Sequence, residues 1–462
     1  MGRTARPSRT PLSVTAVVLL VGATVLGACG GSEKKSSSRS TTTAGNGAGG
    51  APAPGVTPTE IKLGVALVDF GCIKNFTDTL RENQDEVYRA YVDDVNAKGG
   101  VAGRKIVPVF ESYCPIGSAG ALATCTKLTE DEKVFAVLGT FIDFSGDAQQ
   151  CVTKQHHTPL ITFNLTQQTI DVAPPGLIVF PGATNERRAR ILLELLRQQH
   201  TLEGKKVAVL GGTTESAIVN DTIVPALKKQ KVPLGSTALL SVGSTSDTTA
   251  AQAQLDSFIE RWKGEGVNAV FLSGDLVSST QFVTKLRKLM PRVLLMVDTA
   301  DVERMGQQLT LQHVVPNPYE GILTANGPTA EVYDKSDNWK YCKAIYEKQT
   351  GKHAPDSNEV VKGADGKSVD THGSITDACQ QLAIFHDIAT RAGKNLNATT
   401  WAAAVAHYGR IRNPGSGPYA SLHQAKYDTN DSFSLVAFDS SIPPQGSFRA
   451  ITPLRDVTGA HV

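Results

Sequence analysis

From residue 61 almost to its end the chain alternates short apolar runs with amphipathic stretches. Ile61-Lys62-Leu63-Gly64-Val65-Ala66-Leu67 reads as a buried strand. Val87, Ala90, Tyr91 and Val95 follow at spacings of three and four, one face of a helix, and Lys98-Gly99-Gly100 stops it. Lys105–Phe110 is the next strand. Pro108 cannot donate to a ladder, which puts that strand at a sheet edge. The same pattern predicts helices over 119–128, 146–155, 187–198, 218–229, 251–263 and 280–290. Strands fall at 134–138, 160–163, 206–210, 235–242, 269–272 and 293–297. Two late helices, 336–350 and 375–392, flank a polar, Gly-rich stretch from Gly351 to Gly373 that reads as a surface loop, and 433–438 is a last strand.

Regular strand–helix alternation implies right-handed crossovers and parallel sheets covered on both faces. There are too many strands for one small doubly wound sheet, and a break at Phe180-Pro181-Gly182 divides the chain into two open α/β lobes. Open sheets bind ligands beyond the carboxyl ends of their strands, so two facing lobes form a cleft suited to a small molecule.

The first 58 residues carry a different pattern. Arg3, Arg6 and Arg9 precede an apolar run from Leu12 to Leu26, the layout of a signal peptide and too short to span a bilayer. The run ends in Leu26-Gly27-Ala28-Cys29, which resembles a bacterial lipobox, with Cys29 lipidated after cleavage. The alternative is an ordinary secretory signal with a chance cysteine. Residues 1–28 are therefore expected to be an address. Residues 29–58, Ser, Thr, Gly, Ala and Pro in composition, are expected to be a flexible tether. The tether's root-mean-square reach is about 30 Å. The expected location is the extracytoplasmic face of the cell membrane.

Charge and cysteine content then take on meaning. The whole chain has a formal charge of +2. Three arginines and no acid leave with residues 1–28, which takes the mature chain to −1. Near-neutrality argues against nucleic-acid binding. With Cys29 assigned to lipid, Cys72, Cys114, Cys125, Cys151, Cys342 and Cys379 remain, an even set suited to disulfides in an oxidising compartment. Spacing alone does not choose among their 15 possible connectivities. Catalytic motifs are lacking: no Gly-x-Ser-x-Gly, no His-Glu-x-x-His, no Cys-x-x-Cys. Gly363-Ala364-Asp365-Gly366-Lys367-Ser368 contains Gly-Lys-Ser, but Val361 stands where a P-loop begins with Gly, and no strand precedes it. His156 and His157 are adjacent and do not share a helix face. No cofactor or metal is implied.

Pro58-Thr59-Glu60-Ile61-Lys62-Leu63-Gly64-Val65 resembles the opening of the branched-chain amino-acid (Leu/Ile/Val) binding proteins, type I periplasmic substrate-binding proteins of ABC transporters. Asp94-Val95-Asn96-Ala97-Lys98-Gly99-Gly100-Val101-Ala102-Gly103-Arg104 is similar to that family's turn into strand two and is the most specific match. Val137-Leu138-Gly139, Pro159-Leu160-Ile161 and Asp377-Ala378-Cys379-Gln380-Gln381-Leu382 match further elements, and the likeness runs from about 58 to 440. It implies two doubly wound parallel-sheet lobes joined by a three-strand hinge. Lobe 1 is expected over 59–181 plus 323–425 and lobe 2 over 182–322 plus 426–455. The chain is then a monomeric, non-catalytic receptor that closes around an amino acid, amide or related molecule and meets an ABC permease. A sensor of the same fold that signals to a membrane partner, or a secreted hydrolase, are the alternatives.

Carried over position by position, the resemblance places ligand contacts in four loops. Phe141, Asp143 and Ser145 follow strand three, and Thr162, Asn164 and Thr166 follow or end strand four, Thr166 matching the family's ligand-binding threonine. Thr214 and Glu215 replace a Tyr-Gly segment, Asp275 falls where an aromatic residue is frequent, and Asp298 falls at or one before the acid that pairs with an amino group. Larger Asn164 and Leu165 replace a Gly-Ala pair. Asp298 is alternatively a helix cap, Asp143 and Ser145 likewise, and Phe141 and Phe163 are either cleft walls or core. In this fold strands one and two are neighbours, which brings Cys72 to Cys114. Cys125 and Cys151 lie on helices flanking strand three, and Cys342 and Cys379 on the two late helices. Three disulfides follow, with free buried thiols as the alternative.

Overall fold

A computed structural model describes residues 53–75, 77, 79–143, 145–241, 248–274 and 280–458. The expected signal peptide, Cys29, most of the tether and Asp275 lie outside the described residues. The last residues given to the tether are ordered. Lys62 N donates to Gly55 O (2.7 Å) and Val56 bridges Ile61, because Gly55 (φ 69°) folds the chain back against the first strand.

The first sheet contains β1 (Glu60–Val68), β2 (Lys105–Tyr113), β3 (Ala136–Thr140), β4 (Leu160–Phe163) and β5 (Ile178–Val179) in the parallel order β2-β1-β3-β4-β5. β2, the strand with Pro108, is indeed at the edge. The turn into it needs its glycines. Gly99, Gly100 and Gly103 all have positive φ, and a Cβ on Gly100 would overlap the Arg104 carbonyl. Arg104 then fastens the turn, donating to Thr57 O (2.8 Å) and Lys394 O (2.6 Å). On one face pack α1 (Gln84–Ala97) and the late helices; on the other lie 119–131 and 147–155.

The second sheet contains β6 (Val207–Gly212), β7 (Ala238–Leu240), β8 (Ala269–Leu272), β9 (Leu294–Val297), β10 (Leu323–Asn326), β11 (Ser432–Asp439) and β12 (Ser447–Ala450), in the order β12-β11-β10-β9-β8-β6-β7. It is parallel from β10 to β7 and antiparallel at β11 and β12. β6 and β8 are buried along their whole length, as strands covered on both faces must be. α2 (Asn185–Gln198) and α3 (Asp301–Leu311) cover opposite faces.

Three crossings join the lobes: near 180–184, after β10 near 327–329, and near 428–431. The expected boundary at 323 requires correction. Leu323–Asn326 is a strand of the second sheet, paired with both β9 and β11, so the chain crosses only after it. Lobe 1 resumes with α4 (Asp337–Thr350) and α5 (Thr371–Ala392), and it runs to the bridge Phe180–Asp428. The stretch 351–373 is also more ordered than a loop. Val361–Lys362 and Ser368–Val369 form a hairpin whose second strand pairs in parallel with Thr79–Leu80, and Gly363–Lys367 is its tip. Cys72–Cys114, Cys125–Cys151 and Cys342–Cys379 are disulfides with Cα–Cα separations of 5.7, 6.2 and 5.7 Å. Among the described residues no helix is long and apolar enough to cross a membrane.

Candidate functional site

The carboxyl ends of β1, β3 and β4 in one lobe and of β6, β8 and β9 in the other bring their loops towards the crossings. After β3 the chain turns through Thr140–Gly146. Phe141 is fully buried, and its ring lies 6.1 Å from that of Tyr113, so it is a core residue with no surface to offer a ligand. Tyr113 OH donates to Thr140 O (2.8 Å) and accepts from Ile142 N (2.7 Å), and burial pushes its phenol up to about 12. Asp143 takes Ser145 N (3.1 Å), Ser145 Oγ (2.6 Å) and Ala148 N (2.8 Å), which leaves it tying the loop to the next helical turn. Ser145 Oγ sits between Asp143 and Asp147 (2.8 Å).

After β4, Thr162 is buried and its Oγ1 accepts from Phe141 N (3.2 Å). Asn164 is exposed in the left-handed region (φ 58°), a conformation asparagine tolerates well. Thr166 is exposed and caps Gln167–Val172 through Thr169 N (3.1 Å). A Cβ on Gly146 would touch Thr169, so the two lobe-1 loops adjoin. They also reach the other lobe. Gln167 N donates to Glu186 Oε2 (3.3 Å) at the start of α2, and Thr184 Oγ1 donates to Gln167 Oε1 (3.4 Å). Burial raises the Glu186 carboxyl above its ordinary range.

In lobe 2 the three loops converge. Asp298 is fully buried. It accepts from Ser273 Oγ (2.6 Å) and Gly274 N (2.8 Å), which pins the end of β8 to the end of β9. It does not cap α3, whose N-cap is Ala300 without a side-chain bond. Burial outweighs those two hydrogen bonds and pushes its carboxyl up to about 7. Glu215, half-buried, packs over Gly212 and Gly274, where a Cβ would collide with it, while Thr214 is exposed beside it. Arg188 lies close enough to Asp298 and Asp301 to feel both. It donates to Ala325 O (2.6 Å) and Asn326 Oδ1 (3.2 Å), and burial lowers its guanidinium to about 10.

One opening lies between the lobes, and these residues do not line it. A chamber of about 640 Å³ has α3 on the lobe-2 side, with Glu303, Arg304 and Gln307, and the 361–369 hairpin on the lobe-1 side. Two polar clusters brace lobe 1, the first half-buried and the second buried. Arg81 reaches Asp370 (2.9 Å) and Asp377 (2.5 Å). Gln381 takes both ends of the Gly139 peptide, accepting from its N (2.7 Å) and donating to its O (3.0 Å), and accepts from Tyr88 OH (2.8 Å). Sequence reasoning missed the chamber because its hairpin reads as a polar loop. The signal present was the Gly-Lys-Ser tip. Lys367 Nζ donates to the Lys74 and Thr77 carbonyls, which anchors the hairpin to the loop after β1. The sulfurs of Cys125 and Cys151 lie near His156, but they are bonded to each other and ligate nothing.

A family model described as periplasmic binding protein matches residues 75–361. No curated protein matches the sequence. Among solved structures, the leucine-, isoleucine-, valine-, threonine- and alanine-binding protein of Brucella ovis in closed conformation is similar with a TM-score of 0.61 and 12% identity, over 86% of this chain and 95% of that one. A solute-binding protein of an ABC transporter from R. palustris in complex with 4-hydroxybenzoate gives 0.60 and 15%, over 86% and 97%. The branched-chain amino acid transporter substrate binding protein of Streptococcus pneumoniae with isoleucine gives 0.55 and 15%, over 85% and 100%. At these identities the likeness is one of fold.

Proposed function

The chain belongs to the periplasmic binding protein family, and from that premise we infer that it is a lipid-anchored extracytoplasmic receptor that captures a small molecule between its lobes and delivers it to an ABC importer. The observation that carries the reading is the chamber lined from both lobes. A ligand seated there touches α3 and the hairpin at once, and so favours the closed arrangement over the open one. Binding shifts the population towards closure about the three crossings, and a permease that reads the closed shape receives loaded protein.

The candidate contacts divide into two groups on this reading. Ser145, Asn164, Thr166, Thr214 and Glu215 lie in loops at the strand ends, outside the chamber's lining, and as ligand contacts they are proposed, with Asp275, for a strand-end position separate from the chamber. Asp143, Thr162 and Asp298 position those loops. Asp298, buried and held by Ser273 and Gly274, fixes the β8 loop against Glu215. The test is a thermal-shift screen of amino acids, amides, aromatic acids and neutral sugars, since a ligand of the native state raises its melting temperature by mass action. At least one class should give a saturable rise. A flat response to all four contradicts the receptor reading. Cys29→Ser is expected to release the protein from the membrane fraction; retention there contradicts the lipid anchor.

A further inference from the structure

The hairpin-side chamber has a charge balance that bears on what it takes. Its lining carries Glu303, Glu359 and Asp370 against Arg304, Lys362 and Lys367, so the formal charges cancel. Each of the six is also engaged within the protein. Glu303 accepts from Ser447 Oγ (2.7 Å) and Phe448 N (3.0 Å). Asp370 holds Arg81 (2.9 Å), and Glu359 faces His353 (3.1 Å). Lys367 is spent on the Lys74 and Thr77 carbonyls, Lys362 Nζ donates to Ser368 Oγ (3.1 Å), and Arg304 faces Asp301 at 3.7 Å. A ligand with a net charge would therefore meet charges of both signs at once and regain little of the hydration it loses, whereas an uncharged one gives up less on entry.

Apart from the imidazole of His372, the rest of the polar lining is amide and hydroxyl, including Gln307, Gln445, Thr79 and Ser368. Such groups both donate and accept, and they match a ligand whose own groups do the same. Gln307 Nε2 donates to Gly446 O (3.1 Å), which fixes its amide plane at the chamber wall. No Phe, Tyr or Trp lines the chamber among the described residues, so an aromatic ligand would find no such ring to stack on. The volume, about 640 Å³, lies within the usual range for small-molecule sites.

We propose that this chamber binds an uncharged, polyhydroxylated molecule of the sugar or polyol class, not an amino acid or an aromatic acid. The proposal rests on the receptor reading and adds the ligand class to it. The ligand is held by hydrogen bonds from α3 and the segment at Gln445 on one side and from the hairpin on the other.

The test is isothermal titration calorimetry of the full chain with three probe sets: neutral sugars and polyols (glucose, trehalose, myo-inositol), amino acids (leucine, glutamine) and 4-hydroxybenzoate. Saturable heat is expected from at least one sugar or polyol and from neither other set. Its Kd should stay constant from low salt to about 0.5 M, because no net charge is screened. Gln307→Ala and Gln445→Ala should each weaken binding about tenfold, the loss of one good hydrogen bond. The salt series needs no variant and holds even if one fails to fold. Saturable binding confined to amino acids or 4-hydroxybenzoate overturns the ligand class and leaves the receptor reading standing. Silence from all three sets overturns both.

Discussion

Arg187 is the residue whose loss should be felt most at the crossings. Its Nη1 lies 3.2 Å from Asp428 and donates to Asn430 O (2.6 Å), and its Nη2 lies 2.5 Å from Asp431. The side chain is 12% exposed, against 6% and 0% for the two aspartates. Lys426 completes the cluster at 3.2 Å from Asp431, and burial lowers its own ammonium. Two cations thus balance two anions where the first and third crossings meet. Arg187→Met leaves two buried carboxylates with one lysine and an unpaired Asn430 carbonyl. Removing one partner of a buried pair costs about 3–5 kcal/mol. Unfolding entropies of ~2.1 cal/mol/K per residue over ~400 residues make that a fall of about 4–6 °C in Tm. Differential scanning calorimetry reads it directly. The sharper test is the double variant Arg187→Met/Asp431→Asn, which restores charge balance and should recover a substantial part of the loss, with a coupling energy of about 2 kcal/mol. A drop below ~1 °C for Arg187→Met, or strict additivity in the double variant, would refute the reasoning.

Gln381→Leu strands the Gly139 peptide and the Tyr88 hydroxyl in the lobe-1 core. A loss of about 3 kcal/mol or more is expected in urea unfolding, at ~1–3 kcal/mol per orphaned buried group, and a change under ~1 kcal/mol would count against the clamp. Asp298 predicts a pH signature. Its carboxyl titrates at about 7 in the fold, so between the ordinary carboxylate value and that point the unfolded chain releases a proton the native chain keeps, and stability falls as pH rises through this window. Asp298→Asn lacks this dependence, so urea midpoints should move in the variant's favour from pH 5 to pH 7.5; parallel curves contradict the assignment. Replacing Cys342 and Cys379 by Ala opens a loop of sequence separation 37 and should cost about 3–4 kcal/mol by calorimetry, with an unchanged Tm as the contrary result.

Local chemistry made much of this fold legible. The period-2 and period-3.6 runs located the strands and helices, and Pro108 identified an edge strand. The Lys98–Arg104 block fixed a turn because its glycines admit backbone angles that other residues resist. What local pattern could not supply was long-range. Leu323–Asn326 looks the same whichever sheet it joins, and its pairings with β9 and with β11, a strand more than a hundred residues later, place it in lobe 2. The hairpin at 361–369 is polar and short, and it is ordered by Thr79–Leu80 and Lys367, far away in sequence. Phe141 shows the ambiguity of a large apolar residue at a strand end, which serves a cleft wall or a core equally well until Tyr113 is found beside it. Gln381 carries no sequence signal of its role, since the peptide it clamps is 242 residues away.

The central claim is that the lobes close on a ligand. Small-angle X-ray scattering of the protein, alone and saturated with the compound that most raises its melting temperature, tests it most directly. The account predicts a smaller radius of gyration and a narrower distance distribution in the saturated sample. Identical profiles at proven saturation would contradict it.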